Sequence, residues 1–198
     1  MASSMRGLKN YRCRWLIIGG LVLIASAVTP VIANETGIFI QRAQIDRKDQ
    51  RHVVTADIEY RFPTVALQAL DEGIPLTFRI TLQVERISAW GWAETVIQDE
   101  RTIQLRYQPL AKSFQVSDLG SGAVLHYASL ANLLDTLSHL RGWMISELPP
   151  PSDDKEKREA TLRFKFDVES LPLPLRLVAY LSPDWNMEAP PYRWPLDH

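Results

Sequence analysis

Three segments of the chain alternate strictly between apolar and polar side chains. They are VVTADIEYRF at 53–62, TFRITLQVER at 77–86 and ATLRFKFDVE at 160–169. Successive side chains of a β-strand point to opposite faces, so each segment predicts a strand with one buried and one solvated face. The predicted core residues are Val54, Ala56, Ile58, Tyr60, Phe62, Phe78, Ile80, Leu82, Val84, Leu162, Phe164, Phe166 and Val168. Strands with one buried and one solvated face are typical of antiparallel sheets, so the alternation predicts a β-rich domain.

Weaker strand patterns accompany these three segments. They lie at 38–45, 102–107, 113–116, 143–148 and 175–181. About eight short strands at this spacing are typical of a sandwich or an open barrel. The sequence therefore predicts a mainly β (α+β) fold, an antiparallel β-sandwich-like domain over residues 34–198.

Two helices are predicted to pack on the strands. The clearer one, SLANLLDTLSHLRG at 129–142, begins with Ser129 as a potential cap, ends at Gly142 and includes His139. Its leucines form one apolar stripe, which needs an open face or an end of the sandwich to cover. A shorter helix is predicted at 64–72, between Pro63 and Gly73.

Two proline-rich stretches predict connections. Residues 149–159 combine three prolines with seven consecutive charged residues from Asp153 to Glu159, which predicts a surface loop within the single domain. Leu171-Pro172-Leu173-Pro174 predicts a stiff extended segment that leads into the strand at 175–181. Leu173 there is a candidate binding residue, because such an edge can also be covered or extended by a partner protein.

The N-terminus has the three-part pattern of an export signal. Four basic residues and no acid precede the apolar run at 16–28, and Pro30 and Ala33 follow it. The run is shorter than the roughly 20 residues that a spanning helix needs. We therefore predict a signal peptide at 1–33 and a periplasmic domain. The alternative is an uncleaved leader that tethers the same domain to the inner membrane.

Removal of this leader would change the chemistry of the chain. Cys13, the one cysteine, would leave with it, and 18 Lys and Arg would face 23 Asp and Glu, a net charge of −5. An acidic domain without thiols gains nothing from nucleic-acid phosphates or anionic lipids, so no nucleic-acid partner is predicted. Membrane contact is expected only through a retained leader.

The sequence shows no catalytic or metal-binding pattern. The four histidines have no zinc-site spacing, Ser121 lacks the surroundings of a nucleophile elbow, and no glycine-rich phosphate loop occurs. Adjacent acids on a strand point to opposite faces, so neighbouring carboxylates do not form an acid/base couple. We predict no catalytic residue, cofactor or metal, and an enzyme is not expected.

A binding function is best sought in ERISAWGWAET at 85–95. Trp90 and Trp92 are one residue apart, so on a strand both indoles would share one face. Exposed together, they could stack on a sugar or cap a peptide. The simpler interpretation is that they cover the edge of the core, as tryptophan usually does.

Scattered motifs resemble a family of uncharacterised proteobacterial envelope proteins, the DUF4390-like domain of unknown function. The motifs are Arg61-Phe62, Arg86, Arg106-Tyr107 with Leu110, the leucine helix, SLPLPLRL at 170–177 and Asp184-Trp185 before Trp194. The resemblance implies export and an accessory role near a membrane sensor system. It assigns no catalytic residue.

Together these patterns predict a non-enzymatic interaction module in the cell envelope, with an envelope protein as its partner. The candidate binding surface is formed by Trp90, Trp92 and Leu173. The alternative is an aromatic-platform carbohydrate-binding protein or a cryptic glycan hydrolase.

Overall fold

The three alternating segments form central strands in the computed structural model, which describes residues 36–49, 51–88, 90–151 and 156–196. These residues belong to one compact unit, Glu35–His198. The leader predicted at 1–33 and His198 lie outside the described residues.

The described residues form nine strands in two antiparallel sheets. The strands are β1 (Gly37–Lys48), β2 (Arg51–Arg61), β3 (Leu76–Ile87), β4 (Ala93–Gln108), β5 (Ser113–Asp118), β6 (Val124–Tyr127), β7 (His139–Met144), β8 (Lys157–Phe166) and β9 (Tyr192–Leu196). The small sheet has the order β1-β2-β7, and the large sheet has the order β6-β5-β4-β3-β8-β9. All pairings between neighbours are antiparallel, which confirms the predicted fold class.

The two sheets face each other across an aromatic core. Tyr60 of the small sheet meets Phe164 of the large sheet edge to face at 5.6 Å, and Phe62 stacks on Phe78 at 5.6 Å. Such pairs favour offset and edge-to-face geometries and add to the free energy of apolar burial. Every predicted core residue of β3 is fully buried, as are Leu162 and Phe164 of β8. The alternation thus assigned the inner faces correctly.

Three α-helices accompany the sheets, where two were predicted. They are α1 (Thr64–Asp71), α2 (Leu130–Ser138) and α3 (Leu173–Leu181), with short 3₁₀ turns at Val168–Ser170 and Pro183–Trp185. Ser129 caps α2 as predicted, because its Oγ accepts a hydrogen bond from the Asn132 N–H at 3.2 Å. Leu133 is fully buried beneath this helix.

The end of α2 was predicted wrongly. The helix ends at Ser138, His139 begins β7, and Gly142 lies inside that strand with φ +70°. Leu140 and Trp143 face the core from β7, opposite Ala56 and Val54 of β2. Pairing with β2 therefore overrides the helical pattern, and Gly142 supplies the left-handed residue at the irregularity of this pairing.

The strand predicted at 175–181 is also wrong, as is the extended segment that would lead into it. Leu173 opens α3, and the Arg176 N–H donates to the Pro172 carbonyl at 2.9 Å. Pro174 fits the first turn because the N–H groups there have no partner within the helix. Only the stretch before Leu173 is extended.

The predicted surface loop at 149–159 is shorter than the charge pattern suggested. Strand β8 begins at Lys157, and the side chains of Arg158 and Glu156 are both buried. Arg158 Nε lies 2.6 Å from Glu156 Oε1. A buried arginine is tolerated where a carboxylate and a carbonyl receive its donors, and Arg158 Nη1 also donates to Pro149 O at 2.7 Å. Residues 152–155 of the predicted loop lie outside the described residues.

Strands β6 and β9 were not predicted. Strand β9 contains Pro195, which is tolerated because β9 is the outermost strand of the large sheet and pairs on one side only. Strand β6 is only four residues long and carries little periodic signal.

Candidate functional site

Trp90 and Trp92 lie at the tip of the hairpin between β3 and β4. The Ser88 N–H donates to Trp92 O at 2.9 Å, the Gly91 N–H donates to Ser88 O at 2.9 Å, and Ser88 Oγ accepts from the Trp92 N–H at 3.0 Å. Gly91 takes the left-handed conformation that the turn requires, with φ +82°. The tip is therefore closed by its own backbone and needs no packing from the indoles.

Both indoles are exposed to solvent. Trp90 is 89% exposed and Trp92 is 77% exposed. They belong to a turn, so the expected strand-like arrangement on one face does not apply, and they do not cover the core. We call this pair the indole tip.

Leu173 lies on a different surface, the outward side of α3. Five large side chains of this helix are between 55% and 87% exposed: Leu173, Leu177, Val178, Tyr180 and Leu181. At 100° per residue these positions form one broad stripe, while Ala179 is buried on the opposite side. We call this stripe the α3 face.

The structure does not bring the two surfaces together. The α3 face lies near the start of β3, because the Asp167 N–H, just ahead of the turn that leads to α3, donates to Thr77 O at 2.8 Å. The indole tip follows the other end of β3, after Ile87. At ~3.3 Å per residue, β3 separates the two by roughly 30 Å. Trp90, Trp92 and Leu173 are thus two surfaces and not one.

A third feature is a cleft between the sheets, which the sequence did not predict. It has a volume of about 270 Å³ and is lined by residues of β2, β3, β4, β5, β6, α2 and β7. Its floor is apolar and buried, with Ile80, Ile103 and Val116. Two charged side chains, Arg101 and Asp118, stand beside this floor.

The register explains why two charges face inward. Arg101 of β4 lies opposite Ile80, and Asp118 of β5 lies opposite Ile103. Directly opposed residues share a face, so both belong to the inner face of the large sheet. Arg101 interrupts the alternation of apolar and polar side chains at 97–105. The sequence therefore does contain a signal of its inward position.

Asp118 is held by three donors. Its Oδ2 accepts from Arg101 Nε at 2.7 Å, and its Oδ1 accepts from the N–H groups of Gly120 at 2.9 Å and Ser121 at 3.0 Å. Burial by itself would raise the pKa of Asp118, but the hydrogen bonds from Ser121, Arg101 and Gly120 outweigh it and lower the pKa below the usual 3.8. Asp118 therefore remains a carboxylate in the cleft.

A polar rim borders the cleft on the side of β7. Asp57 Oδ1 accepts from Arg141 Nη2 at 2.5 Å and lies 3.1 Å from His139 Nδ1. The hydrogen bond from Arg141, followed by that from His139, lowers the pKa of Asp57. Tyr60, also on β2, donates a hydrogen bond from its hydroxyl to Leu137 O at 3.3 Å, and burial raises the pKa of Tyr60 well above 10. The cleft thus has an apolar floor, a neutral phenol and two ion pairs.

The described residues contain neither a cluster of metal-ligating side chains nor a membrane-spanning helix. No three His, Cys, Asp or Glu side chains among them lie close enough together to hold a metal ion. In the same part of the chain, every helix is too short or too polar to cross a membrane.

These features define the class of the protein as a two-sheet antiparallel β-domain with an exposed apolar helix and a cleft between its sheets. Residues 35–195 match the family model of a domain of unknown function, DUF4390. The chain belongs to this family, which confirms the resemblance drawn from the scattered motifs. Neither a curated protein nor a solved structure matches the chain.

Proposed function

We propose that this protein is a non-enzymatic interaction module of the cell envelope, and that it binds a protein partner through the α3 face. The observation that carries the proposal is the exposure of five large apolar side chains on one helix. Contiguous apolar surface with a polar surround is the usual mark of an interaction site.

The charges around the α3 face favour a protein over a lipid surface. Lys165 lies 3.9 Å from Glu188, and Arg79 lies 3.4 Å from Asp167, so both signs border the helix. An apolar centre with a mixed polar rim is typical of protein interfaces. An anionic membrane would instead favour an excess of Lys and Arg.

The envelope setting of the proposal rests on the export-signal pattern predicted at 1–33.

In-cell photo-crosslinking tests the proposal. A photoreactive amino acid at Leu177 is compared with the same probe at Leu119, which is also exposed but lies in the turn after β5. We expect a discrete protein adduct at position 177 alone, and its loss when Leu173→Ser and Leu181→Ser are added. Adducts only to phospholipid would overturn the proposal in favour of membrane binding, and equal adducts at both positions would show non-specific contact.

A second candidate function rests on the indole tip. Two exposed indoles on a closed hairpin favour stacking on a sugar. Titration of peptidoglycan fragments against tryptophan fluorescence tests this candidate, with Trp90→Ala and Trp92→Ala as the matched variants. Binding that both variants abolish would establish a glycan site at the tip, and unchanged fluorescence would remove this candidate.

A further inference from the structure

The cleft between the sheets exists because one sheet is wider than the other. The large sheet extends over β5 and β6, whereas the small sheet ends at β7. Asp99 of β4 accepts from the Ser146 N–H at 2.7 Å and from Ser146 Oγ at 3.0 Å, so the segment after β7 is held above β4. Helix α2 contacts β2, β5, β6 and β7 and covers only part of the remaining gap.

The mouth of the cleft is apolar and open. Leu125 of β6 lies opposite Val116 and shares its inward direction, yet Leu125 is 54% exposed whereas Val116 is 7% exposed. An inward-facing leucine that remains in contact with water shows that the space beside it is accessible to solvent. Tyr127 and Leu137 complete this side of the cleft.

Arg101 provides hydrogen-bond donors inside the cleft. A guanidinium group carries five N–H donors, and only Nε of Arg101 has a partner among the described residues. The Arg101 side chain is 27% exposed, so its two Nη groups remain accessible beside the apolar floor. Asp118 balances its charge, so the Nη groups suit a neutral carbonyl as well as a carboxylate.

We propose that this cleft binds a medium-length acyl chain, with the chain against Ile80, Ile103 and Val116 and its carboxylate or carbonyl oxygen bound by the Nη groups of Arg101. The volume of about 270 Å³ lies at the small end of ordinary ligand sites, which span about 300–1,000 Å³, and this suits a medium-length chain. The acyl chain belongs either to a free fatty acid or to an acylated envelope molecule, since both present the same chemistry.

Calorimetric titration with decanoate and with methyl decanoate tests this site. The protein is purified without detergent from cells that express the full chain. We expect both probes to bind, and Leu125→Trp, at the exposed mouth, to weaken both by at least tenfold. Arg101→Gln removes a charge-assisted donor, so we expect about a tenfold loss or more.

Two controls separate this site from the α3 face. Leu119→Trp adds the same bulk at an exposed turn, and Leu177→Ser alters the α3 face, and neither is expected to change the affinity. Circular dichroism establishes that each variant is folded. The proposal is overturned if decanoate does not bind, if Leu125→Trp binds it as well as the native chain, or if Leu177→Ser abolishes binding.

Mass spectrometry of an organic extract of the purified protein then distinguishes the sources. A bound free fatty acid indicates a carrier for that class, whereas a bound acylated lipid or peptide indicates an envelope molecule. An extract without any acyl compound, from protein that also fails to bind decanoate, rejects both.

Discussion

Arg101 Nε donates a 2.7 Å hydrogen bond to Asp118 Oδ2 between two neighbouring strands, on the inner face of the large sheet. An ion pair in this position is shielded from water more than a pair on the outer face. Asp118 also fixes the turn after β5, because its other oxygen, Oδ1, accepts hydrogen bonds from the N–H groups of Gly120 and Ser121.

Asp118→Asn is expected to destabilise the fold by about 1–3 kcal/mol, since Arg101 loses its charged partner while it remains partly buried. The measurement is urea denaturation at pH 7. Asp71→Asn serves as the control, because Asp71 is exposed at the end of α1. An Asp118→Asn variant as stable as the control would show that the Arg101–Asp118 pair does not stabilise the fold.

The same carboxylate predicts a pH dependence. Burial opposes a low pKa for Asp118, but its three hydrogen bonds lower the pKa below 3.8 in the folded state. A group with a depressed folded pKa stabilises the fold fully above its unfolded pKa, and this contribution is lost as the pH falls through the folded pKa. The stability difference between the native chain and Asp118→Asn should thus be constant from about pH 5 to 8 and shrink below about pH 4. A stability difference that grows as the pH falls would contradict a lowered pKa of Asp118 in the folded state.

Glu156→Gln is expected to cost about 3 kcal/mol, because it leaves the charge of Arg158 buried without its full partner. The side chains of Arg158 and Glu156 are only 6% and 5% exposed, and Arg86 also approaches Glu156 at 3.8 Å. Chemical denaturation of Glu156→Gln, Arg158→Leu and the double variant forms the test. We expect the double variant to be more stable than the sum of the single effects predicts, and strict additivity would argue against the coupling.

Ser129→Ala is expected to destabilise the protein by about 0.5–2 kcal/mol, since the Asn132 N–H loses the acceptor that caps α2. Ser129→Asp restores an acceptor and should recover most of the loss. Hydrogen exchange of the first turn of α2 is the measurement. Unchanged protection in Ser129→Ala would mean that packing of Leu133 alone maintains the turn.

Trp194→Phe is expected to change stability by less than about 0.5 kcal/mol, or to increase it. Nε1 of Trp194 is buried and has no hydrogen-bond partner among the described residues. A buried donor without an acceptor destabilises the fold, so its removal offsets the stability lost with the smaller ring. Trp194→Ala, which also removes the ring that packs on the core, should cost roughly 2 kcal/mol. Thermal unfolding compares the two, and an equal loss in both would reveal a partner for the indole N–H.

The candidate site was only partly predictable. Trp90, Trp92 and Leu173 were predicted as candidate binding residues, with cover of the core edge as the simpler interpretation of the two tryptophans, and the side chains of all three are exposed. Their separation by the length of β3 was not predictable, because no local pattern relates a hairpin tip to a helix more than 80 residues later. The inward position of Arg101 and Asp118 was not predicted, and their meeting depends on the register between β4 and β5.

The sequence alone determined the inner and outer faces of β2, β3 and β8, because the two-residue period and apolar burial are local properties of each strand. It also determined the start of α2, through the Ser129 cap. The strands with one buried and one solvated face determined the antiparallel class. Only the tertiary structure decided that 173–181 is a helix, that His139 begins a strand, and that Arg158 is buried. His139 begins a strand because β7 pairs with β2, which is distant in sequence. Arg158 is buried because Glu156 and Pro149, both nearby in sequence, receive its donors. The cleft belongs to the same group, since it arises from the unequal widths of two sheets that no single segment encodes.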